Sequence, residues 1–146
     1  INNNILIIYM KSDAVIYILK QLKVKNPSMT YVRLDKYSDL LNNYEEALKQ
    51  LPDVPVLIFS DDPDWCFVQE LFNSDRFLIS QSGEADFDMC LMSLCNYHII
   101  ANSSFSWWGA WLNKNPHKRV IAPAQWFANA PHNTRDLIPS NWQRLA

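Results

Sequence analysis

The sequence predicts an α/β domain built on a parallel sheet with helices on its faces, and three observations carry that prediction. Short apolar runs rich in β-branched residues alternate with longer stretches of helical periodicity, the pattern of strand–helix–strand units. The clearest run, VPVLIFS (54–60), is continuously apolar, as in strands buried on both faces. No internal repeat, low-complexity tract or long linker divides the 146 residues, a length that suits one domain with one buried core.

The elements follow in order. NILIIYM (4–10) reads as a strand, and DAVIYILKQLK (13–23), behind Ser12 or Asp13, as a helix. MTYVRL (29–34) reads as the next strand. SDLLNNYEEALKQL (38–51) places Leu40, Leu41, Tyr44, Ala47, Leu48 and Leu51 near helical spacing, and Pro52 ends it. After the 54–60 strand, DDPDWCFVQELF (61–72) predicts one helix, with Pro63 at its first turn and acidic residues complementing its positive end. RFLIS (76–80) is a strand, ADFDMCLMSLCN (85–96) a helix and YHIIA (97–101) a strand. SSFSWWGAWLN (103–113) is a helix opening on serines, and KRVIAP (118–123) is a strand. The tail TRDLIPSNWQRLA (134–146), interrupted by Pro139, reads as irregular.

Composition excludes several classes. A net charge of −2 with 49% apolar residues fits neither a nucleic-acid polyelectrolyte site nor a disordered chain. No apolar run reaches roughly 18 residues, so no transmembrane span is expected within this segment. The first residue is Ile, and INNNILIIYM lacks the basic region and cleavage site of a signal peptide; both fit an internal piece of a longer chain. Cys66, Cys90 and Cys95 show no CxxC or Cys/His spacing, and the three histidines are scattered. Reduced core thiols at Cys90 and Cys95, which fall inside apolar helical patterns, a reducing compartment, and no metal site are the expectation.

Two strand ends are unusually polar, and ligands of open α/β sheets bind outside the carboxyl ends of strands. One is Ser60-Asp61-Asp62-Pro63; the other is Ala101-Asn102-Ser103-Ser104-Phe105-Ser106. With only two glycines there is neither a GxGxxG fingerprint nor a P-loop, so any phosphate must be held otherwise. A helix start offers backbone N–H groups and partial positive charge, and Ser and Asn add donors without bulk. Against that, one serine can simply cap the helix. Asp61 and Asp62 divide in the same way between complementing a helix start and accepting hydrogen bonds from a nucleotide's base or ribose. Trp107, Trp108 and Trp111 at helical spacing fit core or domain-interface packing, and Arg33 on pattern alone reads as a surface group.

The blocks FSDDPDWC, DMCLMSLCNYHIIANSSFSWWGAWLN, KRVIAPAQWF and DLIPSNW, in this order and spacing, closely resemble the α-1,2-fucosyltransferases of glycosyltransferase family 11. The resemblance runs from about Tyr44 to Leu145. It implies a single α/β domain over 1–146, with 1–43 divergent from the family and 44–145 the donor-binding part. The implied fold is a Rossmann-like parallel sheet with flanking helices, the GDP-fucose-binding half of a GT-B-type enzyme. The implied activity is transfer of L-fucose from GDP-fucose to the 2-hydroxyl of a terminal galactose, with inversion and without a metal. The implied partners are therefore GDP-fucose and a galactose-terminated glycan, with no nucleic acid. Localisation reads as cytoplasmic or membrane-associated, Golgi in a eukaryote.

By the same resemblance Ser103, Ser104 and Ser106 take the diphosphate, Asn102 belongs to the donor turn, and Phe105 walls the fucose or nucleotide pocket. Asp61 and Asp62 take guanosine, and Asp88 either touches donor or holds a neighbouring loop. The family also carries an HxRRxD element whose arginine pairs with the donor phosphates. Here the nearest segment is YVRLDKY, with Tyr31 in the histidine's place, Arg33 retained and Leu34 where the second arginine should be. Family members are about twice as long. The expectation is weakened donor recognition with no turnover by these residues alone, and the rival reading is a non-catalytic nucleotide-sugar- or glycan-binding domain.

Overall fold

The computed structural model describes residues 30–34, 41–127 and 134–145, the backbone alone for 30–34 and 41–42. The expected 4–10 strand and 13–23 helix lie outside the described residues. Among the described residues six strands form one sheet: β1 (Thr30–Leu34), β2 (Val56–Ser60), β3 (Phe77–Ile79), β4 (Tyr97–Ile99), β5 (Arg119–Pro123) and β6 (Gln143–Leu145). Their order is β3-β2-β1-β4-β5-β6, and every pairing is parallel. The chain steps outward from β1 to β3, then crosses back to lay β4 on the other side of β1. That reversal between β1 and β4 is the switch point at which open α/β sheets leave a crevice.

Among the described residues four α-helices alternate with the strands: α1 (Leu41–Lys49), α2 (Pro63–Phe67), α3 (Ala85–Met92) and α4 (Ser104–Leu112). The pleat sends alternate residues of each strand to opposite faces, and the core divides accordingly. Val56, Ile58, Ile99 and Ile121 meet Tyr44, Ala47 and Leu48 of α1 and Cys66 of α2. Leu57, Phe59, Val120 and Ala122 meet Leu91 and Met92 of α3, Ala110 of α4, and Ile138 and Trp142 of the tail. A strand buried on both faces has no polar side to show, which is why VLIF reads as an unbroken apolar run. Each such fully buried large side chain contributes roughly 1.5–3 kcal/mol.

Gly109 sets how closely α3 and α4 approach. A Cβ there would lie 2.8 Å from both the Cβ and Sδ of Met92. Beyond α4, the Lys118 ammonium donates to the carbonyls of Ala110 and Asn113, each at 2.8 Å, and so satisfies the helix end. Asn113 is buried, with Nδ2 donating to the Cys95 carbonyl and lying 2.8 Å from Nε2 of His98, and with Oδ1 accepting the Asn115 N–H.

Two expectations are corrected. The single helix over 61–72 is instead α2 followed by a separate 3₁₀ turn, Glu70–Phe72. Continuing α2 would extend a face on which Phe67 and Val68 already stand 55% and 75% exposed. The chain instead goes extended at Gln69 (φ −82°, ψ 125°) and delivers Phe72 into the core. The tail is not irregular throughout: Ile138 and Trp142 are buried, a turn closes from the Trp142 N–H to the Pro139 carbonyl at 3.0 Å, and β6 then joins the sheet.

Candidate functional site

A hollow of about 590 Å³ opens at the carboxyl ends of β2 and β3. That size lies within the roughly 300–1,000 Å³ of small-molecule sites. One wall is Ser60, Asp61, Pro63 and Asp64, where β2 hands over to α2; the other is the 80–84 loop with Ala85 and Asp88, where β3 hands over to α3. Phe105, in the first turn of α4, closes it from the side of β4 while packing against the core behind. Four carboxylates, Asp61, Asp64, Glu84 and Asp88, line the hollow, with no basic side chain among the lining residues. Such a surface repels phosphate and accepts hydrogen bonds from uncharged N–H and O–H groups.

The walls are held by local hydrogen bonds. Asp62 is the N-cap of α2, its Oδ1 accepting the Trp65 N–H at 3.1 Å, and its own N–H donates to Ser60 Oγ at 3.1 Å. The helix-start reading of Asp62 is thus what the structure shows, and it leaves Asp61 exposed in the hollow. On the opposite wall, Oδ1 of Asp88 accepts both Ser80 Oγ and Ser82 Oγ at 2.7 Å. The Ser82 hydroxyl also accepts the Glu84 N–H at 3.2 Å, and Gly83 takes a positive φ of 70° to complete the turn. Asp88 therefore holds the loop and faces the hollow together.

Beside the hollow stands the start of α4. Ser103 is its N-cap, with extended backbone and no hydrogen bond from its side chain to the helix. Its carbonyl accepts the Trp107 N–H at 3.0 Å, while Ser104 is exposed. Capping by the serine hydroxyl is therefore not what this turn uses. The exposed Asn102 lies across from it, its Nδ2 donating to the Trp126 carbonyl at 3.4 Å. Ser106 corrects an expectation: it is 0% exposed, and its hydroxyl donates to the carbonyls of Ser103 (3.0 Å) and Ala101 (3.3 Å). It braces the turn from inside and has no surface to offer a diphosphate.

The predicted residues thus separate. Asp61, Asp88 and Phe105 line one hollow; Ser103, Ser104 and Asn102 lie on the adjoining turn; Asp62, half-buried, caps α2, and Ser106 braces the α4 turn from inside. The Arg33 side chain lies outside the described residues. Its backbone lies in β1, the strand flanking the switch point, in register with Phe59. Among the tryptophans, Trp107 packs against Trp142 and donates its indole N–H to the Leu137 carbonyl at 2.8 Å. Trp111 stacks on Trp107 and Trp108 meets it edge-on, and both stand about half exposed, so core packing describes Trp107 while the outer faces of the other two are open to the domain-interface alternative. The reading of two polar strand ends missed a third, Ser80-Gln81-Ser82-Gly83-Glu84. Small polar residues with one of the two glycines, set between a strand and a helix, were the available signal.

Among the described residues no group of three or more His, Cys, Asp or Glu side chains is placed to hold a metal ion. Nor is any helix among them long and apolar enough to cross a membrane.

A wholly parallel, unclosed sheet of this order, covered by helices and hollowed at its strand ends, defines a Rossmann-like domain of the GT-B type. The chain belongs to glycosyl transferase family 11, whose sequence pattern matches residues 22–146. The match extends to the N-terminal side of Tyr44, where the residue-by-residue resemblance begins. An "Alpha-1,2-colitosyltransferase" of Escherichia coli is 45% identical over 112 residues, 75% of this chain and 38% of that protein. The "O-antigen biosynthesis glycosyltransferase WbnK" of Escherichia coli is 37% identical over 112 residues, 72% of this chain and 36% of that protein. The matched part therefore spans little more than a third of these relatives. No solved structure matches the chain significantly.

Proposed function

We propose that the chain is the donor-binding part of an inverting fucosyltransferase, which moves L-fucose from GDP-fucose to the 2-hydroxyl of a terminal galactose without a metal. The observation that carries this reading is the pairing of an acid-lined hollow with an adjoining helix start that has no side-chain cap. The hollow suits guanosine, whose base and ribose present N–H and O–H donors. The α4 start suits the diphosphate, through its first backbone N–H groups and the hydroxyls of Ser103 and Ser104. Phe105 lies between them and would wall the sugar or nucleotide.

In the reaction the acceptor oxygen attacks the anomeric carbon from the face opposite GDP. The bond from that carbon to the phosphate oxygen breaks, and the hydroxyl proton leaves to a base. Charge then develops on departing GDP, where preorganised N–H donors and the Arg33 guanidinium would lower the barrier. The 45% identical relative is named for colitosyl transfer. Donor sugar is accordingly tested with fucosyl and colitosyl nucleotides side by side.

The substitutions at Tyr31 and Leu34 favour a second reading, a binding domain without turnover. Calorimetry with GDP on this chain, followed by a β-galactoside transfer assay on the chain completed with the acceptor-binding half of a family member, separates the two. GDP binding with transfer supports the enzyme, binding without transfer supports the second reading, and no binding defeats both.

A further inference from the structure

We propose that Gln81 is a specificity-determining residue that reads the base of the nucleotide donor, held in position by Asp88 through the hydroxyls of Ser80 and Ser82. This deepens the donor-site reading above and rests on it. Gln81 lies at the hollow, is exposed, and its carboxamide makes no hydrogen bond to the described residues. Its two neighbours in sequence are fixed to a single atom: Ser80 Oγ and Ser82 Oγ both donate to Oδ1 of Asp88 at 2.7 Å. The Ser80 N–H is fixed as well, donating to the Ile58 carbonyl at 2.8 Å. A residue whose flanks are pinned and whose own polar group is unused is preorganised for a ligand.

The chemistry of the two walls selects the base. Asp61 supplies an acceptor only, and Gln81 supplies an NH₂ donor as well as an acceptor. Guanine presents two adjacent donors, N1–H and the 2-amino group, beside one acceptor, O6. A carboxylate takes the first two, and a carboxamide N–H takes the third. Adenine offers Asp61 no donor, since its N1 is an acceptor and its C2 bears no amino group, while its 6-amino group can be met at Gln81 by the carboxamide oxygen. With Asp61 on one wall and Gln81 on the other, the hollow favours guanine: the acid rejects adenine and the carboxamide adds the O6 contact.

Calorimetry on the full chain with GDP, IDP and ADP tests this, with thermal denaturation checking that each variant is folded. Substituting Gln81→Ala is expected to weaken GDP about 5- to 100-fold through loss of the O6 contact. The GDP-over-IDP preference, which reports the 2-amino contact, should not change. Substituting Gln81→Glu should swing the preference toward ADP, since a carboxylate repels O6 and accepts from the adenine amino group. Substituting Asp88→Ala should follow Gln81→Ala, while Asp88→Asn, which keeps an oxygen for both hydroxyls, should restore most of the GDP affinity. A folded Gln81→Ala chain that binds GDP as the parent does, or a folded Gln81→Glu chain with the parent's GDP-to-ADP ratio, would overturn the assignment and leave the donor site standing, as would a parent chain that binds both equally. A parent chain that binds no GDP overturns both.

Discussion

Replacing Gly109 by alanine adds one methyl group at the closest contact between α3 and α4. The added carbon would lie 2.8 Å from Met92 Cβ and Sδ and 3.3 Å from Cγ. Carbon atoms pack best at about 3.5–4.0 Å, so the shortfall approaches 1 Å. The thioether end could swing away, but the Met92 Cβ is fixed to the backbone of α3, and one helix must shift. Overpacking of this kind costs roughly 1–3 kcal/mol, and the better helix propensity of alanine returns about 0.5–1 kcal/mol. The expected net loss is about 1–2 kcal/mol, or roughly 2–8 °C in Tm for a chain of this size.

Urea and thermal denaturation measure that loss, and Gly83 supplies the contrast. Gly83 has φ of 70° and nothing within 4 Å of its notional Cβ, so its constraint is conformational rather than steric. Asparagine tolerates the left-handed region, so Gly83→Asn should be milder than Gly83→Ala, whereas Gly109→Asn should be worse than Gly109→Ala. Because α4 carries Ser104 and Phe105, a shifted helix should also weaken GDP binding. A Gly109→Ala chain as stable as the parent, or more stable, would refute the close-approach argument.

Further outcomes can be checked with the same assays. Asp62→Ala removes the α2 cap and should cost about 1 kcal/mol in urea denaturation, with Asp62→Ser recovering most of it. Arg33→Ala should weaken GDP roughly 10- to 100-fold in calorimetry if its guanidinium meets the donor phosphates, the loss expected for a charged hydrogen bond. His98 is wholly buried, and burial first, then the nearby Lys118 charge, hold its pKa down at about 3 against an ordinary 6.5. Between those values the unfolded chain binds the extra proton, so stability is present above pH 6.5 and falls by up to about 1.4 kcal/mol per unit as pH drops. Denaturation between pH 6.5 and 5, above most carboxylate titration, should show this slope in the parent and lose it in His98→Gln.

Three strands were legible because burial on both faces leaves its mark: the apolar runs VLIF, HII and VIA identify β2, β4 and β5. β6 was hidden because QRL is polar and has only β5 beside it among the described strands, so tertiary anchoring by Ile138 and Trp142, not local pattern, makes it a strand. The break in the 61–72 helix was illegible for a related reason. Cys66 and Phe72 both need the core, and no continuous helix serves them while Phe67 and Val68 face water. At the site, polar strand ends found Asp61 and the α4 start. They could not tell a hydroxyl that faces out from one that faces in: Ser104 and Ser106 read alike in sequence, but two residues along a helix turn a side chain through about 200°.

The charge around the hollow has a consequence for how a nucleotide diphosphate would lie. Two like unit charges 4 Å apart repel by about 1 kcal/mol at the dielectric of water and about 4 kcal/mol at the effective value near a protein surface. A phosphate placed against any one of Asp61, Asp64, Glu84 or Asp88 meets that penalty, while at the α4 start it gains roughly 0.3–2 kcal/mol from the helix dipole. The sum favours one orientation, base inward and phosphates toward α4, by about one to four powers of ten. A glycine-rich loop fixes a dinucleotide by wrapping its phosphates. With only two glycines, this chain would fix one by rejecting the phosphates from the acid-lined hollow, which requires no close backbone approach and would let so glycine-poor a sheet serve a donor.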